Sequence, residues 1–236
     1  MWPLILSKRN TVICELMDSP DCDSALLINT YRQFRFINGI LSRARVVYTR
    51  WIRPAMSDRN MDYSLLDIGF GGGDIAMSMA RWAQRDGYRL EVTGIEIDRR
   101  AYEYVQTLNW PPNVTFHHQD AAQLVTRGQT FDFVISNHLL HHLDAKALPI
   151  MLDQMRRLVR RCALLIDIHR SDLAYALFWI LTVAAFRQSY IRHDGLASIR
   201  RSYTFSELAA VAPPGWEVAK VTPFRLVLSH SRNDSI

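Results

Sequence analysis

Apolar positions along the chain change rhythm near residue 60. Between residues 23 and 54 they recur at helical spacing. Leu27, Tyr31, Phe34 and Leu41 fall at i, i+4, i+7 and i+14, with arginines between them. Asp23 is placed to cap this segment, and Pro54 to end the second of two helices. The polar stretch SDRNMD at 57–62 reads as a linker. Beyond it, short apolar runs alternate with helical periods. Strands are predicted at 63–68, 90–97, 114–118, 131–136 and 163–168, and helices at 75–85, 101–108 and 147–159. A long helical insertion is expected at about 171–187. After it come a loop, RHDGLASIRRSYT, a helix from Ser206, and a closing hairpin in WEVAKVTPFRLVLSH with Pro223 near its turn. This alternation predicts an α/β fold with a parallel sheet covered on both faces.

The 236 residues suffice for one core with an appendage. The expected organisation is an N-terminal helical cap, 1–60, and one domain, 61–236, whose insertion at 171–205 covers a site. Cys14, Cys22 and Cys162 have no metal or redox spacing, and an odd, sparse count suits a reducing cytoplasm. In MWPLILSKRN the charges follow the apolar residues, the reverse of a secretory leader. The longest apolar run, 173–186, has fourteen residues, short of the ~17–25 that a bilayer span needs. No transmembrane segment is expected. The run reads as a buried helix, a substrate wall or a homodimer face, and leaves room for peripheral membrane contact. The net charge of +5 comes from dispersed arginines, without an aromatic-interleaved stripe. That pattern suits solvated helix faces better than a nucleic-acid footprint.

Candidate chemistry concentrates in LDIGFGGGD, residues 66–74, which holds four of the ten glycines. Glycine in a packed element costs roughly 0.5–1 kcal/mol against alanine, so this strand-to-helix loop must need its backbone close to a ligand. Gly71-x-Gly73-x-x-Ala76 satisfies the dinucleotide fingerprint and would suit an NAD-linked oxidoreductase. It begins late, however, after Asp67 and Gly69. The other pattern is Asp67, Gly69, Gly71 and Gly73, D-x-G-x-G-x-G. Asp67, Glu96, Asp120, Asn137 and Asp167 all fall at or just past predicted strand ends, the rim where open parallel sheets bind ligands.

The D-x-G-x-G-x-G run resembles the first motif of class I S-adenosylmethionine-dependent methyltransferases. VTGIEID (92–98), HHQDAAQL (117–124) and FDFVISNHLLHHL (131–143) follow in that family's order. The last is especially similar to small-molecule enzymes of the ubiquinone/menaquinone-biosynthesis type. The resemblance covers about residues 63–170. It implies a Rossmann-like seven-stranded sheet, mostly parallel with the last strand antiparallel, and S-adenosylmethionine as cofactor. By the same resemblance, Asp67, Gly69, Gly71, Gly73 and Asn137 would border the cofactor. Glu96 would hold its ribose hydroxyls, with Ile97 alongside. Asp120 would face the adenine amino group, and the Ala121 amide would lie near the ring. Residues 167–208 also look like a bacterial subgroup found in natural-product contexts, including with type III polyketide synthases. That implies a small, hydrophobic, aromatic or polyketide-derived acceptor. Phenolic O-methylation is favoured, and C-methylation stays open.

Methyl transfer is an in-line displacement, and alignment alone can contribute roughly 7–11 kcal/mol. A phenol with a pKa near ~10 is mostly protonated at neutral pH, so a general base can add ~10²–10⁴-fold. Eight histidines are available. If a helix begins at His138, then His138, His141 and His142 share one face. The resemblance favours His141 as base and leaves His138 second. His193, on the expected covering loop, is third. His142 reads as a packing histidine, and His169 follows the fifth strand. H-x-x-H-H lacks a clear fourth ligand, so no metal is expected. A nucleic-acid methyltransferase is the alternative activity, but the Asn/Asp-Pro-Pro-aromatic clamp of amino-methylating members is replaced by Ser136-Asn137-His138-Leu139. A catalytically silent cofactor-binding partner protein is the non-enzymatic alternative.

Overall fold

In a computed structural model of the chain, residues 6–183 and 185–232 are described. The first five residues of MWPLILSKRN, and Ala184 within the apolar run, lie outside them. Seven strands form one sheet: β1 (Asp62–Ile68), β2 (Arg89–Glu96), β3 (Val114–His118), β4 (Phe131–Asn137), β5 (Val159–Ile168), β6 (Glu217–Val221) and β7 (Arg225–Ser231). Their order is β3-β2-β1-β4-β5-β7-β6. The first five pair in parallel, while β7 runs antiparallel to β5 and β6. The expected closing hairpin is therefore present.

Alternation along the central strands divides the core. Leu65, Phe133 and Leu164 join one hydrophobic cluster, and their neighbours Leu66, Val134 and Leu165 join the other. The first cluster is covered by α1 (Ser24–Leu41), α2 (Ala44–Val47), α3 (Asp74–Arg85) and α4 (Arg99–Gln106). The second is covered by α5 (Ala121–Thr126), α6 (Ala147–Leu158) and α9 (Phe205–Val211). Asp23 caps α1, accepting from the Leu26 amide at 2.9 Å. Leu27, Tyr31, Val47, Tyr48 and Ile52 pack into the same cluster as Met79 and Ile75, so the N-terminal helices share the domain's core.

Three elements differ from the sequence reading. The stretch RHDGLASIRRSYT, expected as a loop, contains α8 (Ile191–Arg201), which packs on α7 (Asp172–Val183). Its inner face includes Asp194 and Ser198, both buried, and these polar residues broke the apolar period. β5 starts at Val159 because Arg160 and Arg161 lie within the strand, paired to buried Asp132. The expected adenine loop contains α5, capped by Asp120.

Chain order reverses between β1 and β4, which are adjacent in the sheet. A crevice at such a switch point is where ligands bind in open α/β sheets.

Candidate active site

β1 leads directly into the glycine loop. Gly69, Gly71 and Gly73 take φ of +75°, +53° and +76°, a region that L side chains rarely adopt. At Gly73 a Cβ would also lie 2.8 Å from Trp110 and 2.9 Å from Phe116. The loop is drawn toward the end of β2. There Glu96 accepts from the amides of Gly71 (3.3 Å), Ile97 (2.8 Å) and Asp98 (3.1 Å). Asp67, 1% exposed, sits just before the loop, and Asp74 just after it. Burial, with the negative charge of Asp74 and then Glu96, pushes the Asp67 carboxyl up to about 8. Burial likewise raises Asp74 to about 6, against an Asn38 amide that donates to it at 3.1 Å, and it raises Glu96. Three carboxylates thus crowd one place where water is scarce. Such a cluster favours a cationic ligand.

These groups border a cavity of about 880 Å³ that runs from the glycine loop past the ends of β4 and β5 to the start of β7. Beyond the ends of β4 and β5 its lining is apolar, with Leu139 and with Leu177, Phe178 and Leu181 of α7. Among the described residues, five buried side-chain atoms have no hydrogen-bond partner: Arg43 Nε, Asp67 Oδ2, Asn137 Oδ1, His138 Nε2 and Arg225 Nη1. All five residues line this cavity. Buried polar groups nearly always have partners, so five exceptions around one space mark a polar ligand site.

The histidines do not share a face. His138 is left-handed (φ +64°), and Leu140–His142 forms a single 3₁₀ turn. Burial, then the charge of Arg225, holds the His138 imidazole down at about 3, so it is neutral. His141 is fully engaged. Its Nδ1 donates to Asp167 at 2.8 Å and its Nε2 to Glu15 at 3.0 Å. Burial opposes its charge, but Asp167 and then Glu15 outweigh burial and raise it to about 9. At neutral pH His141 is an imidazolium with both protons committed, which argues against the expected role as base. Ser198 of α8 donates to the same Glu15 oxygen at 2.7 Å. The Glu15–His141–Asp167 chain therefore ties the N-terminal strap before α1, Glu15 to Asp18, to β5 and α8. Glu15, His141 and His142 bring ligand-type atoms within 4.8 Å of one another, but the Nε2 proton of His141 already spans the gap to Glu15.

His193 lies on α8, half-exposed, bonded to Asp194 at 2.8 Å, and outside the cavity lining. Asp120 is exposed and accepts from the Gln123 amide at 2.8 Å as cap of α5, and neither it nor Ala121 lines the cavity. His169, after β5, is also outside the lining. Asp67, Gly69, Gly71, Glu96, Ile97 and Asn137 do line it, while Gly73 shapes the loop from behind.

Residues 65–161 match a family described as a methyltransferase domain. This segment is a methyltransferase domain, and S-adenosylmethionine is its cofactor. The fold is shared with several solved structures. The plantazolicin methyltransferase BpumL, in complex with SAH, is 12% identical, with 92% of this chain and 93% of that chain covered and a TM-score of 0.64. Human N-acetylserotonin methyltransferase, in complex with SAM, is 12% identical over 89% of this chain and 56% of that one, with a TM-score of 0.60. The magnesium protoporphyrin IX methyltransferase ChlM from Synechocystis PCC 6803, with bound SAM, is 16% identical over 91% and 100%, with a TM-score of 0.53. No curated protein matches the chain.

Several residues that border the methyltransferase cavity escaped the sequence reading. Tyr31, Phe34 and Asn38 come from α1, Arg43 from the turn after it, Glu15 from the strap and Arg225 from β7. The i, i+3, i+7 spacing of Tyr31, Phe34 and Asn38 was a usable signal. Glu15 and Arg225 reach the site only through tertiary contacts and leave no local trace.

Proposed function

We propose that this methyltransferase acts on a small, hydrophobic, aromatic or polyketide-derived acceptor, with phenolic oxygen favoured over carbon as the methyl-accepting atom. The observation that carries this reading is one cavity with two unlike halves. The half at β1 and β2 offers Asp67, Asp74 and Glu96, which suit a ligand bearing an ammonium, a sulfonium and ribose hydroxyls. In this reading Asp67 and Asp74 face the cations and Glu96 takes the hydroxyls. Arg43, in the turn after α1, lines the same cavity with its Nε unpartnered. Ile97 and Ala101 flank the base in place of Asp120 and Ala121. The bound cofactor supplies the electrophilic methyl group.

The other half has apolar walls with few polar anchors, which suits a flat hydrophobic acceptor. Residues 1–60 and 171–205 act as its cap: α7, α8 and the strap from Glu15 to Asp18 all border it. That cover suits a compact acceptor better than a polynucleotide. The plantazolicin and N-acetylserotonin enzymes of the same fold support a small-molecule acceptor. His138 stays in the acceptor half as a neutral hydrogen-bonding group. The test is transfer of labelled methyl groups to a panel of phenols, pyrones and quinols. Label is expected in an aromatic ether. Label in nucleic acid with none in any small molecule would overturn the reading.

A further inference from the structure

Arg225 is unusual among the charged side chains of this fold. It opens β7, paired in register with Ile168 of β5, and only 6% of it is exposed. Among the described residues its side chain makes one hydrogen bond, Nε to the Leu41 carbonyl at 2.7 Å, and no ion pair; Nη1 has no partner at all. A buried guanidinium without a carboxylate is costly, and protein chains normally pair such a charge. The titratable groups around it do not pair with it. Asp167 spends its oxygens on His141 and the Ile168 amide, and His138 is neutral.

Its place in the sheet says which ligand it serves. The carboxylates that suit the cofactor lie around β1 and β2, on one side of the switch point. Arg225 lies two strands beyond β4 on the other side, paired with Ile168 and next to Phe224, and it lines the same cavity as α7.

We infer that Arg225 recognises an acidic acceptor, holding the oxyanion of a deprotonated aromatic hydroxyl, enol or carboxylate in the far half of the cavity. This rests on the two-halved reading of the site above. An acceptor bound in this way needs no general base. An oxyanion lone pair forms the new O–C bond, the S–C bond breaks, and its electron pair stays on sulfur. The negative and positive charges cancel to a neutral ether or ester and a thioether, and no proton moves in that step. The proton leaves for solvent when the acceptor binds. This explains why His141 can be locked and His138 neutral.

The test uses the full chain loaded with SAH and reads binding, not turnover. The probe is 4-nitrophenol, whose phenolate is coloured, titrated across pH. Phenolate is expected to bind about tenfold or more tighter than phenol, because hydrogen bonds to charged groups are the stronger kind. Arg225→Met should abolish that preference and Arg225→Lys keep part of it, with SAH affinity within about twofold of wild type in both. Benzoate against benzamide is the second pair and separates a carboxylate from a phenolate acceptor; preference for either anion supports the inference. If the wild type prefers neither anion, or binds neither probe while binding SAH, the inference falls. It also falls if Arg225→Met lowers SAH affinity and leaves the anion preference intact. Failure of SAH itself to bind the wild type would instead remove the cofactor reading beneath it. The wild-type comparison needs no variant, so misfolding of Arg225→Met cannot shield the inference.

Discussion

Replacing Asp67 with asparagine should stabilise the free protein and weaken cofactor binding at the same time. The folded carboxyl is raised from 3.8 to about 8 by burial and by its acidic neighbours. A group raised in this way contributes stability that is fully present below its unfolded value and is lost as pH rises through the folded value. Each unit is about 1.4 kcal/mol, so the full span of about four units would be about 5–6 kcal/mol. Local relaxation and water entry reduce such figures, and we take about 2–3 kcal/mol as the effect at pH 8. The side-chain amide of the Asp67→Asn variant would keep the acceptor for the Ala76 amide and carry no charge. For a chain of this size that gain raises Tm by about 5–10 °C. The lost charge-assisted contact should weaken binding by about 10–100-fold. Thermal melts of the free protein at pH 5 and 8, with calorimetric titration of S-adenosylmethionine, measure both. The wild type should lose stability between the two pH values by more than Asp67→Asn does. A variant less stable than wild type at pH 8, or one that binds the cofactor equally well, would show that Asp67 is not a strained, cofactor-facing carboxyl.

Glu96→Ala should lose about 100-fold or more in cofactor affinity, because two charge-assisted hydrogen bonds are at stake; calorimetry checks it. The Glu15–His141–Asp167 chain predicts two arms in stability against pH. His141 is raised, so its contribution is full below 6.5 and is lost as pH rises through about 9. Glu15 is held at about 2, mainly by His141 against burial, so its contribution is present above 4.5 and is lost as pH falls toward 2. Chemical denaturation of His141→Gln should show the alkaline arm flattened. At Gly195 a Cβ would lie 2.3 Å from the Phe178 ring, so Gly195→Ala should move Phe178 into the acceptor half. Its acceptor KM should rise several-fold with SAH affinity unchanged.

How much of this was legible in the chain depended on range. The glycine loop and the strand-end acids follow from short-period signals, and each lies where local spacing places it, whereas the antiparallel last strand was implied by the family resemblance. Asp120 was legible as an acid after β3, but its N-cap bond to Gln123 spends it on α5. His141 could be placed beside the site from spacing, whereas its locking partner Glu15 lies 126 positions away. Helix α8 was hidden because its inner face carries Asp194 and Ser198, whose partners are on the strap: Asp194 accepts from the Leu16 and Met17 amides. Arg225 looked like one of many dispersed arginines until the β5–β7 pairing buried it.

The two-halved cavity stands or falls on a crystal structure of the chain with SAH and 4-nitrophenol. SAH is expected across Gly69–Gly73 with its ribose on Glu96 and its sulfur facing the far half, and the phenol oxygen against Arg225 under α7. SAH bound elsewhere, or a phenol lodged outside that half while Arg225 stays unpartnered, would contradict it.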